Sequence, residues 1–206
     1  MANTNVAFGL KPIGLHGGAP ATQGQTAYYI SGTASAIYQG SPVKVETTGG
    51  TILVASTAAD GEQLLGAFAG CEYVDATTGE KKFSNYWPGS GSANTSYDII
   101  GYVYDNPAQK FLCVADGTMT NKATARANIF KTVDFDNGDA GSTTTGLSTG
   151  VVDISTASAT DPSLPLMIVG IQEDVDNQDY AAAGIAMIVK INNHVLLGND
   201  ADATIA

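Results

Sequence analysis

The sequence predicts an all-β protein, an antiparallel β-sandwich or barrel with an extended N-terminal arm and at most one short helix. Three observations carry that expectation. Short apolar runs, many alternating at period two, recur along the chain between Gly, Thr, Asn and Asp turn residues. Their spacing of roughly 8–12 residues is the signature of a sandwich or barrel. No such run leads into a proper amphipathic helix, which excludes a parallel α/β fold.

Residues 1–40 carry one charged side chain, Lys11. Pro12, Pro20 and the pair Gly17-Gly18 rule out a continuous helix there. Disordered segments avoid aromatics and carry charge, whereas this one is uncharged and punctuated by Phe8, Leu10, Pro12, Ile13, Tyr28, Tyr29 and Tyr38. A frayed terminus is the alternative; the expectation is an extended arm laid on a neighbouring protein with those seven residues as its contacts. Removing residues 2–20 should then leave the rest folded.

Residues 41–206 form the expected β-rich domain, with a hairpin subdomain around 64–97. Val43 to Glu46 alternates, and Gly49-Gly50 turns the chain into Ile52-Leu53-Val54. Ala67 to Val74 is a strand, and Thr77-Thr78-Gly79-Glu80 turns it into Lys82-Phe83. Tyr97 to Tyr104 and Phe111 to Ala115 flank the turn Asp105-Asn106-Pro107. Further strands are expected at Ile129 to Phe135, Val151 to Ile154, Leu166 to Ile171 and Ile185 to Ile191. Only the Ala-rich stretch Thr118 to Ala127 suits a helix, of two or three turns at most.

Leu, Ile, Val and Phe together make up about 22% of the 206 residues, just above the roughly 20% below which charged chains stay unfolded. So modest a core invites completion by a partner subunit. Only 14% of residues are charged, against a usual quarter, so part of the surface is expected to be covered. The net charge of −11 argues against binding a phosphate backbone, and nucleic acid is not an expected partner. Most of that charge lies beyond residue 130. No stretch approaches the ~18 apolar residues needed to span a bilayer, and no secretory leader opens the chain. Cys71 and Cys113 are too few for a disulfide framework and are expected to be small buried hydrophobes in a reducing compartment.

Catalytic grammar is missing. The two histidines, His16 and His194, lie in no recognisable nucleophile motif, and neither G-x-S-x-G nor H-E-x-x-H occurs. Gly141-Ser142-Thr143-Thr144-Thr145-Gly146 lacks the lysine of a phosphate loop. Asp134-Phe135-Asp136-Asn137-Gly138-Asp139 places its glycine one position early for an EF-hand, and Thr145 stands where the bidentate Glu belongs. A turn is the expectation; no metal, cofactor or catalytic residue is assigned. Trp87, the only tryptophan, sits in Tyr86-Trp87-Pro88-Gly89. It is a candidate for surface recognition, by stacking on a glycan or anchoring a protein contact, or it covers the base of a loop.

Several segments, taken together, resemble a family of structural proteins of tailed bacteriophages. They are Phe8-Gly9-Leu10-Lys11-Pro12-Ile13, Gly17-Gly18-Ala19-Pro20, Gly24-Gln25-Thr26 with Tyr28-Tyr29-Ile30, and Ile37 to Val43. Tyr104-Asp105-Asn106-Pro107 leading to Phe111, the run 141–146, and Val189-Lys190-Ile191-Asn192-Asn193-His194 continue the series. The resemblance is to head decoration, or cement, proteins. It implies a non-enzymatic homotrimer on the phage head surface, made in the host cytoplasm, that bridges neighbouring major capsid subunits and has no catalytic residues to transfer. The alternatives are a virion surface module for host glycans, with Trp87 and the 84–97 loop as its site, and another phage component such as a minor head or tail protein.

Overall fold

The computed structural model describes residues 3, 6–18, 24–56 and 61–197. Among them the chain is almost entirely β, in two six-stranded sheets packed together as a β-sandwich. One short helix and one 3-10 turn at Val195–Leu197 complete the regular structure. The strands are β1 Lys11–Leu15, β2 Thr26–Ile30, β3 Pro42–Val45, β4 Thr51–Val54, β5 Gly66–Val74, β6 Lys81–Ser84, β7 Ile100–Tyr104 and β8 Gln109–Val114. After the helix α1, Lys122–Arg126, come β9 Thr132–Asp136, β10 Val151–Ser158, β11 Leu166–Ile171 and β12 Ala186–Ile191.

One sheet runs β3-β4-β2-β7-β5-β6, and a further β3–β5 pairing closes its first five strands into a ring. Each ring strand places a side chain in the same buried cluster: Ile30, Val43, Ile52, Phe68 and Val103. That is the inward half of the period-two alternation. β6 hangs outside the ring on the distal part of β5, whose register shifts between Phe68 and Gly70. Lys81 and Lys82 guard this free edge, with the Lys81 ammonium 5.3 Å from the Phe83 ring centroid.

The other sheet, β1-β8-β12-β11-β9-β10, follows a related plan. The bridge between Ala115 and Val152 brings β10 back beside the end of β8, and β1 is left outside as the sixth strand. Phe111, Val133, Phe135, Val152, Ile168 and Val189 fill its interior. Cys113 lies in this cluster and Cys71 in the first; both are buried and unpaired, as expected of small hydrophobes.

The expectation of an extended arm over 1–40 laid on a neighbouring protein is corrected for its described residues, which are part of the sheets of this chain. β1 pairs antiparallel with β8, Lys11 opposite Leu112, and β2 sits between β4 and β7. Leu10 is fully buried in the second cluster. The reason is topological: the partners of these strands lie far along the chain, so local pattern does not reveal them. The residues 64–97 are likewise no separate subdomain, because Leu65, Phe68, Cys71, Tyr73 and Trp87 form part of the first sheet's core. The expected strands at 97–104 and 129–135 begin three residues later, at Ile100 and Thr132. The expected helix shortens to α1, because the Asn121 side chain caps it by accepting from Thr124 N at 2.9 Å.

The sheets meet where two glycines cross. Leu10 N donates to Gly40 O at 2.8 Å, and Gly40 N donates to Phe68 O at 2.8 Å. Gly9 has φ +71°, and a Cβ on it would fall 2.4 Å from Gly40 O; Gly40 has φ +89°, and its Cβ would fall 2.7 Å from Phe8 O. Only glycine satisfies both the backbone angle and the close approach.

Leu10→Ala is therefore expected to cost about 2–5 kcal/mol, a fall of roughly 4–20 °C in Tm for a chain of this size. Deleting residues 2–20 removes β1 as well, uncovers the β8 edge, and should lower Tm further. Scanning calorimetry measures both, and an unchanged Tm for the deletion would restore the view of an extended arm outside the folded domain.

Candidate functional site

The residues expected to form a protein-contact arm are divided by the fold. Leu10 and Tyr38 are buried, Phe8, Pro12 and Tyr28 are half-buried, and only Ile13 and Tyr29 are exposed, at 41% and 52%. Tyr28 faces inward, its hydroxyl donating to Asp105 Oδ2 at 2.7 Å. Burial, assisted by that carboxylate, pushes its phenol up to about 12. Tyr38 stacks on Tyr86 with ring centroids 5.6 Å apart.

These contacts show what the motifs of the sequence have in common. The Phe8 to Ile13 segment meets the Ile37 to Val43 segment at the glycine crossing. The 141–146 run joins the same place: Gln39 N donates to Gly146 O at 2.9 Å, and Gly141 packs against the Tyr38 ring so closely that a Cβ would fall 2.2 Å from it. The Val189 to His194 end reaches the first sheet's chain, with Leu64 N donating to Asn193 O at 2.9 Å and Leu64 bridged to His194. Ala19 and Pro20, from the second motif, lie outside the described residues. The motifs gather at the seam between the sheets.

A pocket of about 430 Å³ opens at that seam, lined chiefly by Phe8, Leu10, Pro12, Phe68, Tyr104 and Leu147, with Lys11 and Gln39 at its polar side. Its walls are mostly apolar, and one cation stands beside them. Such a pocket suits an apolar side chain or a small ligand.

Trp87 is not the exposed platform that its loop suggested. It is fully buried, its Nε1 donates to Ala34 O at 3.3 Å, and it meets Tyr73 edge-on at a centroid distance of 5.2 Å. It covers the base of the 84–97 loop from inside. Gly89 and Pro88 turn the chain there, but the Ile37 bridge to Trp87 is what carries the indole inward.

The Asp134 to Asp139 segment is the end of β9 and the turn that follows it. Asn137 has φ +57°, Asp136 Oδ1 accepts from Asn137 N at 2.8 Å, and Gly138 N donates to Ser56 O at 2.7 Å. Among the described residues, no three His, Cys, Asp or Glu side chains are grouped so as to hold a metal ion. The Asp75 carboxylate caps the β5–β6 turn, accepting from Thr77 N and Thr78 N at 2.8 Å each, and Lys82 and these amides hold it well below the usual carboxylate range. His16 is exposed and His194 buried. His194 Nδ1 accepts from Leu196 N at 3.0 Å, which puts the ring proton on Nε2.

Comparison with known protein families, with curated proteins and with solved structures finds no match.

Burial lowers the pKa of His194 below its usual value, an effect that the nearby Asp105 opposes only in part. The unfolded chain therefore takes up a proton here before the folded one does. His194 contributes its stability fully above its ordinary pKa of about 6.5 and loses it as pH falls from there toward the folded value. Denaturant unfolding at pH 7.5 and 5.5 should show a drop that His194→Gln lacks. An equal drop in both proteins would assign the acid sensitivity to other groups.

Proposed function

We propose that the protein is a virion structural component, a decoration or cement protein that binds the outer head of a tailed bacteriophage and staples neighbouring major capsid subunits. The resemblance of its ordered motifs to that family supports this reading. Their convergence at the seam accounts for them as the residues that set how the two sheets join. The low share of charged residues is in keeping with a surface that is covered in use.

Phe130 is the observation that carries the reading furthest. It sits at φ +68° with its side chain 76% exposed, while its backbone N–H donates to Ile168 O at 2.8 Å. A phenylalanine in the left-handed region costs on the order of 1–3 kcal/mol, and here no burial within the chain offsets it. A partner that accepts the ring supplies the missing compensation, as aromatic anchors do at protein interfaces. Val175, Leu196, Leu197, Phe83 and Ile13 are further exposed apolar side chains available for contact.

Stapling works by adding contact area across a joint that would otherwise open. A stable contact buries on the order of 1,200–2,000 Å² in total, more than one anchor provides, so several of these side chains must engage together. A homotrimer at a threefold lattice position presents each of them three times.

Phe130→Gly separates the two roles of the residue. It removes both the ring and the strain, so Tm should hold or rise, while co-sedimentation with heads that lack the protein should weaken by about tenfold or more. Binding equal to that of the unaltered protein would remove Phe130 from the interface. Light scattering at micromolar concentration tests the trimer, and a stable dimer there would overturn it.

A further inference from the structure

A second pocket, of about 370 Å³, opens at the end of the five-stranded ring where β2 finishes and β4 and β7 begin. Mouths of small barrels are common ligand sites, and this volume lies toward the lower end of the ~300–1,000 Å³ range for small molecules. Its floor includes Ile30, Ile99 and the buried Trp87. Two tyrosines stand in its walls, Tyr29 at 52% and Tyr97 at 59% exposure. The carboxylate of Asp98 is exposed beside them and has no hydrogen bond or ion pair with the described residues.

We infer that this mouth is a saccharide-binding site, with Tyr29 and Tyr97 as stacking faces and Asp98 as the acceptor for ring hydroxyls. A pyranose has apolar C–H faces and a polar rim, which matches tyrosines that present a ring body and a hydroxyl tip. A carboxylate accepts several hydrogen bonds at once and can take two adjacent hydroxyls. A wholly apolar ligand would strip water from Asp98 without replacing its hydrogen bonds, at a cost. A phosphate or other anion finds no Lys, Arg or His among the lining residues. Thr51 and Thr95 add neutral polar groups suited to hydroxyls. Gly32 lines the same rim, its φ lies outside the left-handed region, and a Cβ there would meet nothing within 4 Å. The opening is therefore unobstructed at that position.

This site is distinct from the proposed capsid contact, since Phe130 does not line it. It shares Trp87, Thr95 and Tyr97 with the loop that the sequence offered as a glycan site, but Trp87 lies in its floor and the exposed stacking faces are Tyr29 and Tyr97. Trp87 in the floor serves as a reporter, because it is the only tryptophan in the chain.

The test titrates the full-length protein with the methyl glycosides of glucose, galactose, mannose and N-acetylglucosamine at millimolar concentrations, following Trp87 emission. Tetramethylammonium is titrated alongside. At least one glycoside should give a saturable change that Tyr97→Ala and Asp98→Asn each weaken by about tenfold. Phe83→Ala, an exposed aromatic outside this pocket, should leave it unaltered. Both wall variants should keep the parent Tm, since Tyr97 and Asp98 are exposed. No saturable response to any of the four sugars overturns the proposal. So does a response indifferent to both wall variants, or binding of tetramethylammonium alone, which would make the two tyrosines and the carboxylate a cation cage. Head binding is measured separately, so loss of one property leaves the other legible.

Discussion

The crossing of Gly9 over Gly40 is the constraint on which the rest of the molecule depends. Each sheet contains residues that fill its own interior, but neither is independent of the other. Leu10, Leu64 and Ala67 belong to the core cluster of the β8–β12 sheet although Ala67 is part of β5 in the other. The chain can pass from one sheet to the other here only because two backbones approach without intervening Cβ atoms. Hydrogen bonds from Leu10 N to Gly40 O and from Gly40 N to Phe68 O then tie three distant segments into one backbone network. A side chain inserted at either glycine would force the sheets apart, because the opposing atoms are backbone and cannot rotate away.

That arrangement also divides the surface into places of different chemistry. The seam pocket is largely apolar with Lys11 beside it, whereas the mouth of the ring offers tyrosines and a carboxylate with no cation. Two polar side chains near the joint are tied down: the Tyr28 hydroxyl donates to Asp105, and His194 Nδ1 accepts from Leu196 N. Other exposed apolar side chains lie outside both pockets, among them Phe130 and Val175 between strands and Phe83 on the short outer strand β6. The residues that hold the fold together are thus different from those of the proposed attachment.

The strands from residue 41 onward were legible because their alternation is local. Val43 to Glu46 anticipated β3, Ala67 to Val74 anticipated β5, and Leu166 to Ile171 coincides with β11. β1 was not legible, since Pro12 and Gly14 break its alternation, and the register indeed shifts between them. Proline is tolerated on an outer strand, which is where β1 lies. β2 was hidden for a different reason: Thr26 to Tyr29 are mostly exposed, so no clean apolar face marks them. Trp87 illustrates the limit for sites. Its neighbours Pro88 and Gly89 announce a turn, but which way the indole points depends on the bridge to Ile37, fifty residues earlier in the chain. Of the mouth residues, Tyr29 stood out as an aromatic among neutral neighbours. Tyr97 and Asp98 did not, because they read as the start of a strand that begins only at Ile100.

The pairing of β1 with β8 has a consequence for synthesis on the ribosome. Lys11 finds its partner Leu112 only after about a hundred further residues have been made, which takes on the order of 5–20 s at ordinary translation rates. β2 waits for Val103 and β7 in the same way. The five-stranded ring can close as soon as β7 emerges, whereas the second sheet needs β12, near the end of the described chain. The topology therefore lets the ring close first, while β1 has no partner strand until β8 has been made. Such long-range closure is intrinsically slow. The segment that waits longest for its place is also the one carrying the glycine on which the joint turns.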